Sequence, residues 1–352
     1  MGTRPVLGLI YMLQGLQQLG EDPTPVLTRH GLVLEQLNPS TPIDRARELR
    51  IYADLAQYLH DPTIGLRLGQ FYNLAGYGPL VMLLLTCANA YEAFQMGIRY
   101  QRLTYNYGTL RFEPGEQLSA LVLEPLPMPP KVFRFRVDGE VSGTYKMMRD
   151  LQASLGLDLR AESIDMPYPR PPEAAVYEAH FGCPVRFGEP VARLWMRNEY
   201  LQLRFASADP AAHGMYRSMC EQQLVAQNVS LSTLSDRVQA HLAMFTQGYP
   251  SAEEVARSFQ LSERSLRRQL SEEGHNFREL LSQVRYDKAR HLLHHTQLSI
   301  EAIAQELGYA ESAAFIHAFQ RWSGKTPAAF RSHPLTDTVC APSVPPENPP
   351  LE

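Results

Sequence analysis

Between residues 231 and 332 apolar residues recur every three or four positions, the spacing of one helix face after another. A helix from Ser232 places Leu234, Val238, Leu242 and Phe245 on one stripe and stops at Gly248-Tyr249-Pro250. Ser251 and Ser262 are positioned to cap the next two helices, and Gly274 ends the second. A long helix then runs from Asn276 to about His295, with Phe277, Leu280, Leu281, Val284, Ala289, Leu292 and Leu293 on its apolar face. Ser299 caps a short helix that Gly308 ends; the next runs from Glu311 or Ser312 to Trp322, and Pro327 opens the last.

Residues 1–230 read differently. Helical spacing falls at Leu7–Leu19, Ile43–His60, Pro79–Tyr100 and Val137–Leu155. Two-residue alternation at Leu103–Phe112 and Gln117–Glu124, around Glu113-Pro114-Gly115-Glu116, predicts a hairpin. Short strands are expected near Ser163–Met166, Pro184–Phe187 and Val191–Met196, and a helix over Met215–Val229. The fold class is therefore multi-domain: an α+β domain over residues 1–210, a connecting helix over 211–230, and an all-α domain over 231–333. Residues 334–352 hold six prolines and few core-forming residues, so a disordered tail is expected there, with a polyproline ligand as the functional alternative.

The all-α region contains one device twice. Glu254-Val255-Ala256, Phe259-Gln260-Leu261 and Ser262–Leu270 form a short helix, a tight turn and a second helix. Ala302-Ile303-Ala304, Leu307-Gly308-Tyr309 and Glu311–Phe319 repeat it. Ala256 and Ala304 are small where two helices would cross, and Leu266 and Phe315 would plug the angle between them. This is helix-turn-helix logic. The helix between the copies, some 20 residues long, would span about 30 Å, close to the ~34 Å between successive major grooves on one face of DNA.

Composition removes several classes. With 44% hydrophobic and 20% charged residues the 352-residue chain is an ordinary globular one. The longest apolar run, starting at Leu80, is far short of a membrane span, and Val6–Leu13 lacks a signal cleavage site, so no membrane role and a cytoplasmic location are expected. Four scattered cysteines suggest neither disulfides nor zinc. The net charge of −4 gives no overall nucleic-acid footprint, so a DNA role must rest on individual arginines.

The helical region resembles the AraC/XylS family of bacterial transcription regulators. The resemblance is carried by Ala256, Leu261-Ser262-Glu263-Arg264-Ser265-Leu266-Arg267-Arg268, Gly274, Phe277, Ile303-Ala304, Leu307-Gly308-Tyr309, Phe315, Ala318-Phe319, Arg321-Trp322, Gly324, Thr326-Pro327 and Phe330-Arg331. It implies double-stranded DNA as partner, with Arg264 and Arg268 at base edges and Arg267 at phosphate. Ser265 on the first reading helix, Ser312, Ala313, Ala314, His317, Gln320 and Arg321 on the second, and Lys325 beyond it complete the expected surface. Three positions depart from the family: Gln260 replaces a usual glycine, His317 a usual arginine and Gln320 a usual lysine. Ala313 and Ala314 are too small to hydrogen-bond bases, so the first unit should read bases and the second should position.

The N-terminal region resembles the sensor domain of the ornithine-utilisation and VirS-like branch, an arabinose-binding-type regulator domain. Pro62, Gly65-Leu66-Arg67-Leu68-Gly69, Gly76-Tyr77, Ala93, Tyr100 and Phe181–Phe187 carry it. It implies an unknown small-molecule effector or self-association, hence a homodimer, and RNA polymerase as partner if the chain activates. Tyr77, Tyr105, Tyr107 and Arg134 are the candidate ligand contacts, with half-buried core (the tyrosines) and a surface role (Arg134) as the plainer readings. His291, His294 and His295 share a helix face at metal-binding spacing, but nothing completes a site; no metal and no cofactor are expected. His180 and Cys183 form no triad, and no phosphate loop or nucleophile elbow is present, so no enzyme is expected. The alternative function is a ligand-binding or interaction protein whose helical domain has lost specific DNA binding.

Overall fold

The structure, a computed structural model, describes residues 3–226, 233–245 and 248–332. The proline-rich tail and the expected start at Ser232 lie outside the described residues. The first helices are α1 (Leu7–Gln18), α2 (Thr24–Arg29), α3 (Arg45–Tyr58) and α4 (Ile64–Leu68), beside an antiparallel ribbon of β1 (Thr3–Pro5) and β2 (Pro42–Asp44). Next come α5 (Pro79–Leu85), α6 (Ala90–Arg99), the hairpin β3 (Thr109–Glu113) and β4 (Leu118–Glu124), and α7 (Pro130–Ser154). Then follow β5 (Ser163–Met166), α8 (Ala174–Phe181), β6 (Val185–Phe187), β7 (Ala192–Arg197), α9 (Asn198–Leu201) and α10 (Pro210–Ala226). The helical remainder is α11 (Leu234–Ala243), α12 (Ala252–Ser258), α13 (Glu263–Glu272), α14 (Phe277–His295), α15 (Ile300–Glu306), α16 (Ser312–Ser323) and α17 (Pro327–Ser332). No helix among the described residues is long and apolar enough to cross a membrane.

Five strands form one sheet in the order β3-β4-β7-β5-β6, antiparallel except for the parallel pair β5-β6. β4 is buried along its middle because β3 and β7 flank it and α7 covers it, so its run Ala120–Leu123 is continuously apolar. α7 approaches α4 closely, which accounts for the Gly65 and Gly69 spacing. A Cβ at Gly65 would meet the Phe135 carbonyl oxygen at 2.4 Å, and one at Gly69 would meet Ser142 at 2.4 Å.

Several expectations require correction. The helix expected over Pro79–Tyr100 is two helices. Thr86 Oγ1 donates to the Met82 and Leu83 carbonyls at the end of α5, and Asn89 accepts from Glu92 N to start α6. The first strand starts at Thr109, not Leu103, because residues 101–103 form a helical turn held by Gln101, whose amide bonds both Ile98 and Leu110. Tyr105 and Tyr107 therefore precede the strand and do not share its face. α7 begins at Pro130, seven residues before the apolar spacing suggested. α2, α4 and α8 are too short to show a period.

The chain packs as two compact units, Met1–Val284 and one beginning at Arg285, with the division inside α14. The reason lies in the first unit's cores. Ala240 of α11 and Met244 at its C-terminal cap belong to the apolar cluster of α1, α2 and α3, and Ala46 of α3 belongs to the cluster of α11–α13. α3 thus contributes to both. In the second unit Phe315, Phe319 and Phe330 are buried against Ala289, Leu293, Ile303, Ala304 and Leu307.

Candidate nucleic-acid interface

The first helix-turn-helix is α12 and α13. Ser251 and Glu254 form a reciprocal capping box at the start of α12. Ala256 is buried at the crossing and Leu266 fills the angle, as the sequence predicts. The turn bends at Gln260, the one non-glycine residue of positive φ among those described, at 56°. Such a conformation puts Cβ against the backbone and costs on the order of 1 kcal/mol. Ser262 then caps α13, its hydroxyl accepting from Ser265 N at 3.1 Å.

Two buried positions, Leu266 and Leu270, hold α13 down, so the intervening arginines face out. Arg264 is exposed and makes no hydrogen bond or ion pair with a described residue. Arg267 pairs with Glu263 at 2.6 Å and Arg268 with Glu272 at 3.4 Å, both one turn away and both exposed. Exposed pairs of this kind hold weakly. Ser265 is half-buried, with its hydroxyl 2.9 Å from that of Ser262, so it is part of the cap. At the other end of α13, Glu273 accepts from the backbone N–H groups of Leu234 and Ser235 at the start of α11. Partial burial pushes its carboxyl up, and these donors outweigh that and hold it below the usual carboxylate range.

The second unit repeats the construction. Ser299 caps α15, Gly308 makes the turn at φ 73°, Ala304 is buried at the crossing and Phe315 is fully buried in the angle. Lys288 of α14 donates to the Glu306 carbonyl at 3.0 Å, closing the end of α15. On α16 the exposed residues include Ala313, Ala314, His317, Gln320 and Arg321, while Ser312 and Lys325 are half-buried. Two alanines and one arginine stand where α13 presents three arginines. His294 packs edge-on to Phe330, with ring centroids 5.1 Å apart.

The four candidate ligand contacts are not brought together. Tyr77 and Tyr105 pack with rings tilted by 44° and centroids 4.8 Å apart, and Tyr105 OH donates to the Gly76 carbonyl. Tyr107 donates to the buried Glu48 at 2.5 Å, and the guanidinium carbons of Arg4 and Arg45 lie 4.3 and 4.7 Å from its ring centroid. Arg134 pairs with Glu173 at 3.0 Å and donates to Tyr177 OH, which itself donates to the buried Asp138. Burial pushes the Asp138 carboxyl up to about 7, against the pull of two tyrosine hydroxyls and Arg134. His180 lies 2.8 Å from Ser142 Oγ and 3.2 Å from Gln70, and burial lowers it to about 4; burial likewise raises Cys183 to about 11. Neither is poised as a nucleophile or base.

Two features escaped the sequence. An apolar cavity lies between α6 and α7, and none of the four candidates lines it. Cys87, Glu92 and His213 also meet, where α5 ends and α10 begins. Cys87 Sγ is 3.8 Å from His213 Nδ1, whereas Glu92 faces His213 Nε2 at 3.9 Å, so the ring bridges the two through opposite nitrogens.

Two helix-turn-helix units, closed on separate apolar cores, define a double helix-turn-helix protein carrying an α+β domain ahead of them. The chain belongs to the AraC family of helix-turn-helix DNA-binding transcription regulators with an N-terminal ligand-binding domain. Residues 20–205 match the model described as the arabinose-binding domain of AraC transcription regulator, N-terminal, and residues 255–333 match that of a helix-turn-helix domain. The Ornithine utilization regulator of Pseudomonas aeruginosa is 32% identical over 277 residues, covering 78% of this chain and 80% of that one. VirS of Mycobacterium tuberculosis is 26% identical over 328 residues, covering 90% and 93%. The solved structure of CdpR from Pseudomonas aeruginosa is 26% identical, covers 89% of this chain and 98% of that chain, and has a TM-score of 0.44.

Proposed function

We propose that this regulator is an effector-responsive activator that acts in the cytoplasm as a homodimer, and that it reads adjacent major grooves unequally. The observation that carries the unequal reading is Arg264, exposed and unpaired on α13 beside Arg267 and Arg268. Arginine paired to guanine is the commonest specific base contact. α16 offers Ala313 and Ala314 at its start, which suit a thymine methyl or mere proximity. His317, Gln320, Arg321 and Lys325 would serve phosphate and groove shape. The 19 residues of α14 span about 28 Å, close to one turn of DNA.

The sensing and dimerising role falls to residues 1–210, with α10 as connector and residues 231–333 as the DNA-binding domain. Exposed Met215, Met219 and Val225 on α10 (52%, 41% and 79% accessible) suit pairing with a second copy. Activation would add RNA polymerase as a partner; no chemistry on a substrate is needed. The test is footprinting on the gene's own upstream region with full-length chain. Protection of two successive major-groove faces per copy supports the reading. Binding that ignores sequence leaves a ligand-binding or interaction protein instead.

A further inference from the structure

α6 has the apolar spacing of a helix meant for a core. Ala90, Ala93, Phe94, Gly97 and Ile98 follow one another at intervals of three and one, so they share a face. Yet none of the ten residues of α6 is buried. Phe94 and Ile98 touch the sheet's apolar cluster and Ala93 that of α5, but the face also borders an open cavity. Across that space stands an equally regular stripe of α7: Thr144, Met147, Met148 and Leu151. Leu80 and Leu84 of α5 close one side, and Leu110 and Leu121 of the hairpin close another. The space inside it that admits the centre of a water-sized sphere is about 90 Å³. Packed interiors leave few voids larger than a water molecule, whereas sites for small ligands have this apolar lining.

The walls Ala90, Phe94, Met148, Gln152 and Leu159 are shared with a second, smaller hollow, and there the chemistry changes. Arg149, Arg160, Tyr145, Trp195 and Tyr200 border it. Arg149 is held by Asp158 at 2.6 Å and by the Leu159 carbonyl at 2.8 Å. Arg160 is exposed and makes no ion pair or hydrogen bond with a described residue. An apolar chamber thus opens beside an exposed cation whose neighbouring carboxylate, Asp158, is bonded by Arg149.

We propose that this cavity is the effector site and that its ligand is an amphipathic organic anion, with an apolar chain or ring body between α6 and α7 and an anionic head at Arg160. The proposal rests on reading the N-terminal domain as the effector-sensing part. A sugar fits poorly, because its hydroxyls would face apolar walls. The two threonines of the lining are already engaged: Thr104 donates to the Gln101 carbonyl, and Thr144 accepts from Asn106.

The site also has a mechanical exit. At the C-terminal end of α6, Arg99 and Tyr100 both bond Glu221 of α10, at 2.8 and 2.7 Å. Leu80 and Leu84, which wall the cavity, share an apolar cluster with Cys220 of α10. A ligand that seats α6 therefore bears on the helix that leads from the sensor towards the DNA-binding part.

The test uses full-length chain, with decanoate, 1-decanol and L-arabinose as probes in titration calorimetry and the upstream DNA in fluorescence anisotropy. Two variants control it. Gly97→Leu fills the chamber, and the position has room: an added Cβ meets only Leu84 Cδ2, at 3.9 Å. Arg160→Gln removes the cation. The expected result is one decanoate per chain, bound at least tenfold tighter than decanol, with no arabinose binding and with a shift in DNA affinity. Gly97→Leu should abolish decanoate binding without lowering the thermal midpoint, and Arg160→Gln should erase the preference over decanol. Decanoate bound equally by both variants, or not bound at all, overturns the site. Decanoate bound in the cavity with DNA affinity and transcription unchanged overturns the effector role instead, and with it the sensor reading.

Discussion

His241 Nδ1 donates to the carbonyl oxygen of Pro127 at 2.8 Å. The first residue belongs to α11, which packs with the first helix-turn-helix, and the second to the loop that enters α7. His241 is 2% exposed, and burial holds its imidazole below the ordinary value, so it stays neutral and donates. With Ala240 and Met244 beside it, this bond seats the first reading unit on the N-terminal domain. His241→Ala takes this donor from the half-buried Pro127 carbonyl and opens a space beside Phe245 and Phe259. The expected loss is about 2–3 kcal/mol of stability. Hydrogen exchange should quicken in both α11 and the Pro127 loop; quickening in α11 alone would remove the coupling.

Arg264→Ala should weaken binding to the regulator's own site by about 1–3 kcal/mol and relax preference at one base position. Lys325→Ala should weaken cognate and scrambled DNA alike and reduce the salt slope by about one. Anisotropy titrations at several salt concentrations separate the two behaviours. Equal losses on cognate and scrambled DNA for Arg264→Ala would mean that it touches only the backbone.

At the first turn, Gln260→Gly removes the clash of a side chain at φ 56° but adds freedom to the unfolded chain. The net gain should be about 0.5–1 kcal/mol, seen as a higher urea midpoint at unchanged slope. An unchanged or lower midpoint would mean that the Gln260 side chain supplies contacts that outweigh its backbone strain.

His180 titrates near 4 in the folded chain because burial disfavours its charged form. A histidine whose folded value is depressed contributes stability above its unfolded value of about 6.5 and loses it as pH falls. The native chain should therefore lose stability through this group between about pH 6.5 and 4. His180→Gln, which does not titrate there, should flatten that part of the thermal midpoint profile. Parallel profiles for the two proteins would place the acid sensitivity elsewhere.

How much of this was legible in the sequence depended on range. Ser251, Ser262 and Ser299 cap their helices through residues three positions away, and Ala256 and Leu266 act within one short motif. Such features are written in consecutive residues. The seat of α11 on α1–α3 was not legible, since Ala240 and Met244 look like any other apolar pair until their distant partners are known. Periodicity likewise marked Tyr105 and Tyr107 as strand, when Gln101 and long-range bonds to Gly76 and Glu48 hold that stretch irregular. The cavity was the least legible feature. Ala90, Ala93, Phe94, Gly97 and Ile98 carry the pattern of a packed face, and a pattern says that a face is apolar, not whether anything fills the space opposite.

Because α3 sits in the apolar cores of both the N-terminal domain and the first helix-turn-helix, heat cannot melt one and spare the other. Scanning calorimetry should resolve two endotherms, one for everything up to the middle of α14 and a smaller one for the second helix-turn-helix. A partly melted molecule would then keep half of its DNA-reading surface attached to nothing that senses.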